Sequence, residues 1–369
     1  MKYSIEKTNT SPAYLQLYRQ LRDDIIRSAY PFGTKLPSKR LLADETGVSI
    51  ITIEHAYALL CEEGYAESRE RSGYYVCFRP GDGFAAAADT KSLPIYPDTI
   101  TPSLSSNRAV QNLSFPLLAR TMRKVLSDYG NTILEKSPNE GISALREEIR
   151  KYLLRSRGII ADNSQIIIGS GSEYLYGLTA SLLGREKVYA IEAPSYHKIQ
   201  QVYESCDVTI EMLPLGADGI ESTALQNTRA DILHITPYRS FPSGVTASAS
   251  KRHEYLRWAD KENRYIIEDD YESEFSVSRK AEETLFAHAK KENVIYMNTF
   301  SNTISPALRV AYMVLPASLV SSFEEKLGFY SCTVPTFEQY VLSQLLASGD
   351  FERHINRVRR QKRKEKRTN

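Results

Sequence analysis

The sequence predicts a two-part chain: a small helical unit closed by a β-hairpin, then a larger α/β domain on a mostly parallel sheet. Three observations predict it. Two helical segments meet across a tight turn at Gly47. A strand-turn-strand pattern, "YAESRERSGYYV", follows them closely. Beyond residue 103, apolar β-rich runs alternate with helical segments, as the buried strands of a parallel sheet do.

Composition narrows the class without naming a partner. The 369 residues are 42% hydrophobic and 25% charged, ordinary for a globular chain with room for two or three domains. A formal net charge of +2 selects no ligand. Cys61, Cys77, Cys206 and Cys332 form no CxxC pair, and the six histidines do not cluster. Neither a disulfide framework nor a metal site is expected, which fits a reducing compartment. The opening "MKYSIEKTNTSPAY" lacks the apolar core of a signal peptide, and no run is long enough to span a bilayer. The expectation is a cytoplasmic chain with no membrane partner. The stretch 353–367, "RHINRVRRQKRKEKR", reads as a nucleic-acid patch or as a solvated helix face.

In the first unit, "SPAYLQLYRQLRDDIIRSAY" (11–30) has helical spacing, with Ser11 able to cap and Pro12 suited to the first turn. "PFGTKLPS" breaks the chain. Ser38 caps "KRLLADETG", which Gly47 ends; Ser49 caps "IITIEHAYALLCEEG", which Gly64 closes. The hairpin turns at Arg71-Ser72-Gly73. Helix-turn-helix plus hairpin is a winged helix, whose second helix enters the major groove of double-stranded DNA. Residues 11–76 resemble the GntR-type winged-helix domain of bacterial repressors, through "KLPSKRLLADETGVS", "HAYALLCEEGY" and "SRERSGYYV". The resemblance implies DNA contacts from Arg40, Ser49 and Thr52, with Arg69 and Arg71 serving the wing. The family commonly carries arginine straight after the serine that opens the recognition helix; here it is Ile50, which offers only apolar contact.

A linker, 79–103, rich in Pro, Gly, Ala and Asp, separates the units. In the second, "QIIIGSG", "KVYAIEAP", "ADILHITP", "RYIIEDDY", "NVIYMNTF" and "RVAYMVLP" read as strands. Ligands of such sheets sit beyond the carboxyl ends of the strands, where Ser172, Tyr196, Asp269 and Ser301 fall. Ser172 opens a helix after a glycine turn, a place for phosphate. Ser301 and Arg309 add a hydroxyl and a planar cation. Asp269 ends a buried strand and needs a partner, such as a protonated ring nitrogen. Tyr196 is placed to lie over a ring and Tyr271 to meet a ring hydroxyl. Together these groups describe a pocket for pyridoxal 5'-phosphate.

Residues from about 105 to 360 resemble fold-type-I aminotransferases, closest to the MocR branch, in which a GntR domain precedes an aminotransferase-like domain. The carrying stretches are "GISALREEIRKYLLRSRGI", "IEAPSYHK", "ITPYRSFPSG", "IIEDDYESEF" and "TFSNTISPALRVAYMVLP". The resemblance implies that Asp269 holds the pyridine nitrogen, Tyr271 faces the ring oxygen and Tyr196 stacks on the ring. Ser172, Ser301 and Arg309 then bind the phosphate.

Three departures follow. The family's Schiff-base lysine falls at Asn302, whose carboxamide is neither a nucleophile nor a base. Lys136 and Lys198 lie in motif regions, with nothing placing either at the aldehyde. The family continues past "FERHINRVRR" with the rest of a small domain, so that C-terminal subdomain is expected to be incomplete and the basic helix unpacked. Phe241 stands where many aminotransferases have asparagine.

The expected organisation is a winged helix over 1–78, a linker over 79–103 and a C-terminally truncated aminotransferase-like domain over 104–369. The expected function is a homodimeric DNA-binding transcriptional regulator. Its second domain has no catalytic residue and holds pyridoxal 5'-phosphate, if at all, non-covalently, or senses an amino-acid or amine effector. An active aminotransferase with a DNA-binding appendage and a decayed gene product are the alternatives.

Overall fold

The computed structural model describes residues 3–5, 11–79, 113–261, 264–271, 273–276 and 283–368. Contacts divide the chain into two units, Met1–Thr101 and Pro102–Asn369. The segment read as a linker lies, beyond Arg79, outside the described residues.

The first unit begins with α1 (Ala13–Ile26). Pro12, not Ser11, occupies its N-cap position, and no side chain caps it. The Ser11 hydroxyl instead accepts from Arg19, at 3.5 Å. Helix α2 (Lys39–Thr46) starts where the Ser38 hydroxyl accepts from the Leu41 N–H, and stops at Gly47 in the left-handed conformation, φ 68°. Helix α3 (Ile50–Glu62) is capped by Ser49, which accepts from the Thr52 N–H at 3.2 Å. Strands β1 (Ala66–Arg69) and β2 (Gly73–Val76) form the antiparallel hairpin, and Lys35 bridges to Tyr75 as a minimal third strand. Leu17, Leu21, Leu42, Ile53, Tyr57 and Leu60 are fully buried among these elements, so the unit has its own core.

The second unit contains α4 (Phe115–Tyr129), α5 (Ser143–Arg157), β3 (Ile166–Gly169), α6 (Ser172–Leu183), β4 (Val188–Ala193) and α7 (His197–Ser205). Next come β5 (Thr209–Gly216), β6 (Gly219–Ile220), α8 (Ser222–Asn227), β7 (Ile232–Ile235), α9 (Ala249–Ala259) and β8 (Tyr265–Asp269). It ends with α10 (Leu285–His288), β9 (Val294–Thr299), β10 (Ala311–Val314), α11 (Ala317–Leu327), α12 (Thr336–Ala347) and α13 (Asp350–Thr368). The eight strands form one sheet in the order β3-β10-β9-β8-β7-β4-β5-β6. Pairing is parallel from β9 through to β5; β10 runs antiparallel to both its neighbours.

Both faces of this sheet are covered, which explains its near-continuous apolar strands. Ile166 and Ile168 face one side, where α4, α5, α12 and α13 pack; Ile167 faces the other, against α6, α7 and α11. β5 and β6 escape the sequence reading: "TIEMLPLG" has Thr209, Met212 and a proline exposed and a glutamate within it, unlike the buried runs of its neighbours, and β6 is two residues long. The basic C-terminal helix is not unpacked. Phe351, His354, Ile355 and Val358 are buried, and Arg359 donates to the Glu274 carbonyl at 2.5 Å. Its period places an apolar stripe opposite the arginines and lysines.

Behind β8 lies a buried ionic cluster. The Arg157 guanidinium meets Asp270 at 2.9 Å and Glu274 at 3.5 Å, with side chains 2%, 6% and 3% exposed. The Tyr296 hydroxyl donates to Asp270 at 2.6 Å and Asn298 to Glu274 at 2.7 Å. The two carboxylates hold the Arg157 proton well above its ordinary range, against the opposing effect of burial.

Candidate cofactor pocket and DNA-reading surface

The topology gathers the pocket residues. Parallel strands β3, β4, β7, β8 and β9 end at one edge of the sheet; Asp269 is the last residue of β8, and the segments that follow the strands carry Ser172, Tyr196, Thr236, Tyr271, Ser301 and Asn302. Arg309 precedes β10, whose antiparallel direction pairs Ala311 with Thr299 and with Gly169. The start of β10 thus lies beside the ends of its neighbours. All six residues read as cofactor-binding line one cavity of about 270 Å³, as does Asn302.

At one end of the cavity Asp269 is buried, 3% exposed. Its Oδ2 accepts from the Tyr176 hydroxyl and lies 3.7 Å from His234 Nε2. The Tyr203 hydroxyl holds the other ring nitrogen of His234 at 2.7 Å. Asp269 Oδ1 is buried without a hydrogen-bond partner. A buried carboxylate oxygen without a donor is costly, and a ligand N–H would satisfy it. This is the point where the residues present fit a pyridine ring.

At the other end, α6 presents its N-terminus. Gly171, at φ 102°, permits the close approach of Arg309: a Cβ there would stand 2.5 Å from Nη2 of the guanidinium. Arg309 pairs with Glu173, and Lys198 meets the same carboxylate at 3.0 Å. Burial raises the Glu173 carboxyl, but Lys198, its own backbone N–H and Arg309 outweigh that and hold it below the ordinary carboxylate range. The Ser301 hydroxyl donates to the Leu308 carbonyl at 2.7 Å. Asn302 donates to the Tyr271 carbonyl at 3.1 Å. Among the described residues, no lysine lines the cavity. Tyr196 lies edge-on to Phe241, ring centroids 6.1 Å apart, and both face the cavity.

Glu173, Tyr176 and Thr236 were not singled out from sequence. A signal existed for Tyr176: it stands four residues from Ser172, on the same face of α6. Beneath the pocket, Glu192 in β4 accepts from the Ser240 hydroxyl at 2.5 Å. Burial pushes Glu192 up to about 8; the Ser240 hydroxyl and the Thr236 backbone oppose this and the Asp269 charge adds to it. Folded, the group holds a proton that the unfolded chain has released. Stability therefore falls as pH rises from the ordinary carboxylate range to about 8, and levels above it. Burial likewise pushes Glu268 up to about 8, so Glu192→Gln is expected to reduce that slope, not abolish it, in melting curves recorded across the window.

On the winged helix, Arg40 and Arg71 are exposed and make no ion pair among the described residues. Arg71 sits at the tip of the wing with φ 56°. Arg69 is held by Glu67 at 2.7 Å and lies over the Tyr75 ring at 4.3 Å. Ser49 shares a hydrogen bond with the Thr52 hydroxyl at 2.9 Å, so its cap role accounts for much of its chemistry. Ile50 and Ile51, 46% and 64% exposed, project from the start of α3, where a recognition helix meets base edges.

Comparison with known proteins gives the two halves their family. Residues 13–76 match the family described as "Bacterial regulatory proteins, gntR family", and residues 103–369 match "Aminotransferase class I and II". The HTH-type transcriptional regulator YdeL of Bacillus subtilis is 31% identical over 98% of this chain and 79% of its own length. The probable rhizopine catabolism regulatory protein MocR of Rhizobium meliloti is 28% identical, covering 95% and 74%. The pyridoxine biosynthesis transcriptional regulator PdxR of Corynebacterium glutamicum is 26% identical, covering 94% and 75%. Among solved structures, kynurenine aminotransferase of Pyrococcus horikoshii superposes with a TM-score of 0.61 at 25% identity, over 66% of this chain. LysN, the α-aminoadipate aminotransferase of Thermus thermophilus, gives 0.58 at 26% over the same share. The chain spans 63% of the length of each of those two enzymes.

A winged helix joined to an aminotransferase-like α/β unit defines a DNA-binding transcriptional regulator. The chain belongs to the MocR-type regulators, with a GntR helix-turn-helix domain followed by a class I and II aminotransferase domain. Among the described residues no helix is long and apolar enough to cross a membrane.

Proposed function

We propose that this regulator reports occupancy of its pocket rather than turnover. The pocket holds a vitamin-B6-type ring reversibly and dispenses with the lysine of the catalytic family. The supporting observation is the pairing of an unpartnered, buried Asp269 Oδ1 with a carboxamide, Asn302, in a cavity lined by no lysine among the described residues. Pyridoxal 5'-phosphate, when bound, supplies an electron-withdrawing ring. Asp269 would hold its ring nitrogen protonated, Tyr196 would cover a face and Tyr271 would meet the ring oxygen. Asn302 has no lone pair basic enough to move a proton and no nucleophile for covalent capture. The expected measurement is a ligand-dependent rise in melting temperature of the full chain, with no lysine adduct after borohydride reduction. A trapped lysine adduct would contradict the assignment of position 302.

The winged helix is proposed to bind a DNA half-site as one arm of a homodimer, the assembly usual for the family. The domain limits 1–78, 79–103 and 104–369 are proposed with it, and acting on DNA places the protein in the cytoplasm. Arg40 and Arg71 have guanidinium groups without ion-pair partners among the described residues and are the proposed contacts of α2 and the wing; Ser49 and Thr52 contribute through the start of α3. Arg69 reaches DNA only by leaving Glu67. Arg40→Ala is expected to weaken binding at every sequence and lower the log–log salt slope by about 0.9, one phosphate contact. Ile50→Arg is expected to strengthen it. Salt titrations unchanged in both variants would remove the helix from the groove.

A further inference from the structure

We infer that the phosphate end of the pocket is already filled by the chain's own Glu173, so that the pocket takes the B6 ring without drawing affinity from its phosphate. The inference rests on the reading of the cavity as a B6-ring site and names which form of the ring it selects. Its ligand class is a pyridinium-type ring bearing a neutral arm, such as pyridoxal.

Of the side-chain donors that a phosphate would use, Arg309, Lys198 and Ser301 are engaged. The Arg309 guanidinium is bound to Glu173 Oε2, and Lys198 Nζ holds Glu173 Oε1 at 3.0 Å. The Ser301 hydroxyl hydrogen is committed to the Leu308 carbonyl at 2.7 Å. Glu173 is in the first turn of α6, where the partial positive charge of a helix start favours an anion, and its carboxylate supplies that anion. The pair is closely seated: a Cβ on Gly171 would stand 2.5 Å from Arg309 and 3.2 Å from Glu173. Two cations meeting one carboxylate leave a single net positive charge for a phosphate dianion, where two would otherwise face it. The ring end has no such internal substitute, since Asp269 Oδ1 is buried and unpartnered. The two ends therefore differ in kind: one lacks a donor, the other has been given an anion.

The test compares pyridoxal with pyridoxal 5'-phosphate on the full-length chain and on Glu173→Gln, which keeps the side-chain shape and releases Arg309 and Lys198. In the native chain the two compounds are expected to bind within about threefold of one another, because a phosphate that gains no new ion pair adds little. Glu173→Gln is expected to favour the phosphate ester by about tenfold or more, and inorganic phosphate then competes with it. Glu173→Gln combined with Arg309→Gln is expected to lose that preference, and the melting curve of each variant reports its folding. A tenfold preference for the ester in the native chain, unchanged in Glu173→Gln, overturns the inference and leaves the pocket reading standing. Equal binding of both compounds in both proteins does the same. If neither compound binds either protein, the inference and the pocket reading both fall.

Discussion

Asp269→Ala is expected to weaken binding of pyridoxal to the full chain by between about tenfold and a hundredfold. The physical basis is a charge-assisted hydrogen bond from a ring N–H to a buried carboxylate, which contributes about 1.5–3 kcal/mol. Oδ1 lacks a partner and Oδ2 is occupied by the Tyr176 hydroxyl, so the ligand meets an acceptor that nothing else uses. Asp269→Asn keeps an acceptor in place but loses the charge, and its loss is expected to be smaller. Because alanine also strips a partner from Tyr176 and a neighbour from His234, the melting curve of each variant is recorded without ligand. A variant that folds like the parent and binds pyridoxal equally well removes the carboxylate from the site.

Arg157→Ala is expected to produce the largest loss of stability. The guanidinium is 2% exposed and neutralises two carboxylates that are themselves buried. Removing it leaves Asp270 and Glu274 without their counter-charge, with only the neutral donors Tyr296 and Asn298. Breaking a buried pair from one side costs about 3–5 kcal/mol, because the desolvation of the remaining charge is no longer offset. For a unit of this size that corresponds to a fall in melting temperature of roughly 6–20 °C. The loss is expected to be smaller at acid pH, where Glu274, whose carboxyl burial already raises, takes up a proton and becomes neutral. The combined replacement Arg157→Met, Asp270→Asn and Glu274→Gln is expected to recover part of it. Thermal unfolding at pH 5 and pH 8 checks both points; a melting temperature within a degree of the parent would show that the cluster is not what holds α5 to the end of β8.

Asp269 and Asp270, adjacent in the chain, have opposite duties. Asp269 turns toward the cavity and Asp270 toward Arg157, as successive side chains at the end of a strand do. A pocket reading of "EDDY" recognises the first and has no means of assigning the second, because its partner lies 113 residues away on α5.

Much of the architecture was legible along the chain because it is written in local terms. Serine caps at Ser38 and Ser49, the left-handed Gly47 and a hairpin turn at Arg71 identify a winged helix from short-range chemistry. The apolar strands were legible because a sheet covered on both faces leaves few positions polar. β5 was not, since its exposed residues break that pattern, and β6 was not, since two residues are too few to carry one. Ser11 misled for a related reason: a hydroxyl near a helix start has more than one acceptor or donor within reach, and here Arg19 was nearer in function than the helix.

Residue types and their order were enough to name six side chains that line one cavity, and to show that position 302 carries an amide. Local chemistry cannot tell which of those side chains are already taken. That depends on the antiparallel course of β10, which delivers Arg309 to the start of α6, and on a glycine that lets it approach Glu173. Ion pairing is decided by distances of a few ångströms between residues 136 positions apart, and such distances exist only once the sheet is assembled.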